Sequence, residues 1–113
     1  MLEAEDMQGL LLSGYGKQPS AAYVFFSIAD PAKAKAWLKE LTPLVTPGRN
    51  FEKNRDFSLN IAFTHKGFAR LGLSSATLGT FSRPFAEDLS HPDRARLLND
   101  DVNTWQWGKP AAQ

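Results

Sequence analysis

The only imidazoles in the chain are His65 and His91, 26 residues apart. Imidazole is the commonest metal ligand and the natural general base near neutral pH. No Asp, Glu or His spacing around either histidine resembles a metal motif. Each opens a polar helix start, "THKG" and "SHPD", where capping or solvent exposure is the ordinary role. Asp100-Asp101 sets two carboxylates side by side, but an acidic pair in "LNDDVN" is most simply a solvated turn. Serines are many, yet none stands in Gly-x-Ser-x-Gly or Ser-x-x-Lys. "SGYG" lacks the strand–loop–helix frame and the following Lys of a phosphate loop. Tyr15, Trp37, Trp105 and Trp107 could relay single electrons near an oxidising cofactor; packing is the simpler role, with Trp37 expected in a core. Local chemistry therefore assigns no catalytic, cofactor-binding or metal-ligating residue.

The bulk properties remove further classes. The absence of cysteine excludes disulfides, thiolate metal sites and a cysteine nucleophile. Thirteen basic residues against twelve acidic give a net charge of +1 and no basic patch, so no nucleic acid or anionic membrane is expected as partner. No apolar run is long enough to span a bilayer. "MLEAEDMQG" is acidic and lacks the basic start of a secretory signal, so a cytoplasmic protein is expected. The 113 residues suit one domain, 1–113.

The elements that must position these residues follow from pattern. "LLL" at 10–12, between glycines, predicts a brief helical turn and then a loop. "AAYVFFSI", residues 21–28, is aromatic and β-branched on both faces, as a covered strand is. Asp30 and Pro31 are an N-cap and a first helical residue. Ala34, Trp37, Leu38 and Leu41 fall on one helical face, and Pro43 stops that helix. A short edge strand is expected within "LVTPGRNFEKNRD". "FSLNIAFT", residues 57–64, alternates strictly, so Phe57, Leu59, Ile61 and Phe63 share one face of a strand. Thr64 then caps "HKGFARL", with Gly72 as its stop. "SSATLGTF" predicts one helical turn. Ser90 and Asp93 mark the start of a helix through Leu98. The order strand, helix, strand, strand, helix is βαββα, an α+β ferredoxin-like plan without its last strand. Trp105 and Trp107 alternate around Gln106 as residues entering a strand do. The missing strand is thus expected beyond Gln113, in a longer protein of which this chain is the front part.

Several of these stretches resemble one family. "DMQGLLLSGYG" resembles the start of dye-decolourising (DyP-type) peroxidases. "AAYVFFSIADPAKAKAWLKELTPLVT" resembles that family's first strand and helix, and "LNIAFTHKGFARLGL" is the closest match. "FSRPFAEDLSHPDRARLLNDD" and "WQWG" resemble its later Phe-rich turn, Arg-containing helix, Gly-Asp turn and Trp-x-Trp-Gly. The resemblance runs from about Asp6 to Gly108. It departs at two turns: the family's glycine before the Asp turn is Asn99 here, and its Gly-Met before the Arg helix is replaced by Asp88-Leu89.

The resemblance implies a ferredoxin-like half of the dimeric α+β-barrel type, within a haem b peroxidase that oxidises bulky organic substrates or dyes with hydrogen peroxide. The family's Gly-x-x-Asp-Gly, its distal Asp and its proximal His match no position in this chain. The site residues expected here are therefore none: no catalytic, cofactor-binding or metal residue. Haem b is expected in the full-length protein and not in this chain alone. The expected partner is a C-terminal peroxidase half or a second copy of the chain. The alternative is a non-catalytic ferredoxin-like binding or dimerisation module. A third reading has two copies clamping haem through His65 or His91.

Overall fold

The computed structural model describes residues 3–12, 14–48 and 56–108. The chain divides into two compact units, Met1–Ala62 and Phe63–Gln113.

In the first unit a 3-10 turn, Gly9–Leu11, is followed by irregular chain and then α1, Pro31–Leu41. The Asp30 carboxylate accepts from the backbone N–H of Ala32 and Lys33, satisfying two of the donors that a helix start leaves open. Pro31 occupies the first position, where no N–H is needed. Pro43 falls inside a second 3-10 turn, Thr42–Leu44, that tightens the end of the helix. Ala34, Leu38 and Leu41 are half-buried on the expected face. Trp37 lies tilted against Phe26, ring centroids 5.3 Å apart, but stays 44% exposed, so it is not the core residue its position suggested.

The ferredoxin-like α+β plan is not what forms. Among the described residues there is no strand and no sheet, only an isolated antiparallel bridge between Gln8 and Pro47. Residues 21–28 and 57–64 carry no regular structure. The edge strand expected in 44–56 falls partly on residues 49–55, outside the described residues. The reason is physical. Alternation and β-branching report fitness for a half-covered surface, not the presence of a neighbouring backbone. The 57–64 segment satisfies its backbone in another way. Leu59 exchanges bonds with Thr46: Thr46 N–H donates to Leu59 O (2.9 Å) and Leu59 N–H to Thr46 Oγ1 (3.0 Å). Ile61 exchanges bonds with the Gln8 side chain: Ile61 N–H donates to Oε1 (2.8 Å) and Nε2 donates to Ile61 O (2.7 Å).

Thr46 is completely buried, and its carbonyl accepts from Gly9 N–H at 2.8 Å. The next turn requires Gly48. Its N–H donates to Ala4 O and Met7 O, and a Cβ there would lie 2.8 Å from Ala4 O and against Leu12.

The second unit is built from short helices: α2 His65–Leu71, α3 Ser75–Leu78, α4 Arg83–Glu87 and α5 Pro92–Leu98, then a 3-10 turn, Val102–Thr104. Thr64 and Ser74 cap α2 and α3 by accepting from Gly67 and Thr77 N–H. Gly72 ends α2 at φ +91°, a conformation that costs glycine nothing. At α5 the expected cap is displaced by one residue. His91, not Ser90, accepts from Asp93 N–H, while Ser90 turns back to Asp88. The Trp105–Trp107 stretch is a bend following the last turn, not the entry to a strand.

Candidate functional site

The chemistry-bearing side chains of the second unit gather on α2, α4 and α5. Leu71, the one buried hydrophobic residue among those described, anchors α2. Phe68, one turn earlier, stacks on Phe81 with ring centroids 5.5 Å apart and planes 3° from parallel. Phe63 lies 5.0 Å from Phe68, and Phe85 lies 5.1 Å from Phe81. The four rings make a continuous aromatic cluster, in which Phe63, Phe68 and Phe81 stack and Phe85 is tilted against Phe68 and Phe81.

His65 enters this cluster edge-on, 6.0 Å from both Phe81 and Phe85. Its Nε2 donates to Leu78 O at 3.3 Å, which ties α2 to the end of α3. His91 stands in a charged rim. Its Nδ1 is 3.3 Å from Asp93 N, 3.6 Å from Glu87 Oε2 and 3.9 Å from Asp93 Oδ2. As a lone pair, Nδ1 caps α5; with a proton, it faces the carboxylates. The two roles exclude one another.

Arg83 bridges the same rim. Its Nε donates to Glu87 Oε1 at 2.6 Å and its Nη2 to Asp93 Oδ2 at 3.3 Å. The Glu87 hydrogen bond and charge hold the guanidinium above its ordinary range. Lys66 pairs with Asp88 at 3.3 Å across exposed surface. The hydrogen bond from Ser90 Oγ, 2.6 Å, is the main cause that holds the Asp88 carboxyl below its ordinary range. The Trp105 indole N–H donates to Asp100 at 2.9 Å. Asp101 caps the following turn through Asn103 N–H. Asp100 and Asp101 therefore serve local structure separately, and no cation pair is assembled. Among the described residues no three His, Asp or Glu side chains converge as a metal site.

These residues do not fit a haem. The Nε2 of His65 is committed to a carbonyl and its ring is wedged between phenylalanines. His91 caps a helix beside two carboxylates on an open rim. An axial ligand needs a free nitrogen facing an apolar slot.

A family model, the DyP dimeric alpha+beta barrel domain, matches residues 6–110. The chain belongs to this family. No curated protein sequence and no solved structure matches it. The DyP description names an alpha+beta barrel, whereas the described residues form helices without a sheet.

Membership in the DyP family gives the two departures at glycine a structural meaning. Asp88 and Asn99 are the only non-glycine residues with positive φ among those described, at +62° and +52°. Both stand where the resemblance places glycine. Asn99 ends α5 in the left-handed conformation that asparagine tolerates. Asp88, at ψ 177°, occupies a region almost reserved for glycine, and its bonds to Ser90 and Lys66 oppose the strain. Sequence reasoning treated these positions as local surface turns. The glycine-for-bulk exchange was the available signal of a left-handed backbone.

Proposed function

We propose that the chain is the N-terminal, non-catalytic domain of a haem-dependent DyP-type peroxidase. Hydrogen-peroxide-driven oxidation of bulky organic substrates or dyes then takes place in a peroxidase half that holds haem b. The observation that carries this reading is the family match across residues 6–110. It is supported by the roles of the two histidines, each committed to a helix end. Peroxide cleavage needs an acid–base group beside a ligated iron, and neither histidine is placed to help supply that arrangement.

The partner is a C-terminal peroxidase half. The run Tyr23-Val24-Phe25-Phe26 supports this, because its side chains are 67–84% exposed and an apolar run of that size is a contact surface in waiting. The same run favours a second reading, a non-catalytic module that dimerises with its own copy. Among the described residues no helix is long and apolar enough to cross a membrane.

Haemin titration of the purified chain, alone and mixed with a DyP-type C-terminal half, tests both readings. The chain alone is expected to give no saturable Soret shift and no peroxide-dependent dye bleaching, and the mixture to give both. A saturable shift from the chain alone, lost in His65→Ala or His91→Ala, would overturn the first reading. A stable dimer that takes up no haem in either condition would favour the second.

A further inference from the structure

At the junction of α4 and α5 a single ring nitrogen faces two kinds of partner. Pro92, the first residue of α5, has no N–H to satisfy. The N–H groups of Arg94 and Ala95 both donate to the His91 carbonyl at 2.9 Å. Asp93 N–H is the remaining donor of this first turn. Among the described residues no carbonyl accepts from it, and His91 Nδ1 does, at 3.3 Å. That bond needs a lone pair on Nδ1, which puts the proton of the neutral ring on Nε2.

The same nitrogen lies 3.6 Å from Glu87 Oε2 on α4 and 3.9 Å from Asp93 Oδ2 on α5. Arg83 of α4 completes the charged surroundings, while Asp88, in the turn between the helices, is bonded to Lys66 and Ser90. Arg83 bonds Glu87 Oε1 and Asp93 Oδ2, so Glu87 Oε2 is the oxygen it leaves to another cation. One guanidinium against two carboxylates also leaves this rim a net negative charge, which an imidazolium would balance.

We infer that His91 is a proton-operated latch between α4 and α5. Neutral, it caps α5 through Asp93 N–H. Protonated on Nδ1, it releases that donor, because two N–H groups then face one another, and it bonds Glu87 Oε2 instead. Acid therefore loosens the first turn of α5 while adding a second tie between the helices beside Arg83–Asp93. Imidazole is the side chain that makes such an exchange between about pH 5 and 8.

Nuclear magnetic resonance of the purified chain, titrated across that range, tests this. At its upper end the ring nitrogen shifts of His91 are expected to show the proton on Nε2. As the ring takes its second proton, the Asp93 amide proton is expected to move upfield with the same midpoint. The Ala95 amide, bonded to a carbonyl, is expected to move little. The side-chain carboxyl carbon of Glu87 is expected to shift together with Asp93. His91→Asn replaces the imidazole with an amide oxygen that caps without gaining a proton. In that variant the Asp93 amide and the Glu87 carboxyl are expected to stay still across the range. Should His91→Asn not fold, the wild-type titration decides by itself. A proton on Nδ1 at the upper end would overturn the inference, as would an Asp93 amide that ignores the titration of His91. Movement of Asp93 without Glu87 would remove the tie between the helices and with it the latch. The same movements in His91→Asn would assign them to other groups, His65 among them, and overturn it as well.

Discussion

The two units solve the problem of order by opposite means. Met1–Ala62 is held by a few polar bonds between residues far apart in sequence: Gln8 to Ile61, Tyr15 to Asn60, Thr46 to Leu59. Phe63–Gln113 is held by caps acting within a few residues and by phenylalanines stacked between neighbouring helices. The first arrangement depends on individual donors finding individual acceptors across a long loop, whose closure costs entropy. The second forms from pieces that are already local. Loss of one bond is therefore expected to matter differently in each unit.

The largest effect is expected at Phe68, which touches Phe63, Phe81 and Phe85 at once. Phe68→Ala should cost about 3 kcal/mol, as large-to-small changes at packed rings do, seen as lost near-ultraviolet dichroism and a lowered thermal midpoint. Survival of that signal would break the claim that stacked rings hold the second unit. Thr46→Val keeps the shape of a fully buried side chain and removes the acceptor for Leu59 N–H. It is expected to cost about 1–3 kcal/mol, the penalty of a buried unpaired donor, with faster amide exchange at Leu59. Asp88→Gly is expected to stabilise by about 1 kcal/mol, since relief of the strained backbone outweighs exposed polar bonds; a lower thermal midpoint would contradict this. The smallest effect is pH-dependent. The Asp88 carboxyl lies below its ordinary value of 3.8. Its bond with Ser90 therefore contributes stability that is complete above that value and is lost as the pH falls below it. Ser90→Ala should flatten this acid loss by less than about 1 kcal/mol, because the site is exposed. The acid limb of a thermal-midpoint-against-pH curve reads it.

What was legible in the sequence follows the same division. Asp30, Thr64 and Gly72 act where local chemistry placed them, because a cap and its helix are neighbours in the chain. His91 displaced Ser90 because an imidazole lone pair can cap as a hydroxyl does, and Ser90 had a stronger partner in Asp88. The strands expected at 21–28 and 57–64 did not form because nothing in the residues of a segment says whether a second backbone lies beside it. Gln8 was legible as part of a family-like stretch, but not as the partner of Ile61. A side-chain amide reaching a backbone 53 positions away leaves no periodic trace. Of the histidines read as caps or exposed groups, His91 caps α5, whereas His65 is wedged half-buried into the aromatic cluster.

The placement of the three tryptophans also gives the molecule a built-in optical separation. Trp37 lies beside Phe26 in the first unit, whereas Trp105, bonded to Asp100, and the largely exposed Trp107 lie in the second. With excitation selective for tryptophan over Tyr15 and Tyr23, Trp37→Phe would leave emission arising only from Phe63–Gln113. The difference between its melting curve and that of the parent chain would isolate the light from Met1–Ala62. One pair of fluorescence melts could then show whether the two units lose their structure at one temperature or at two.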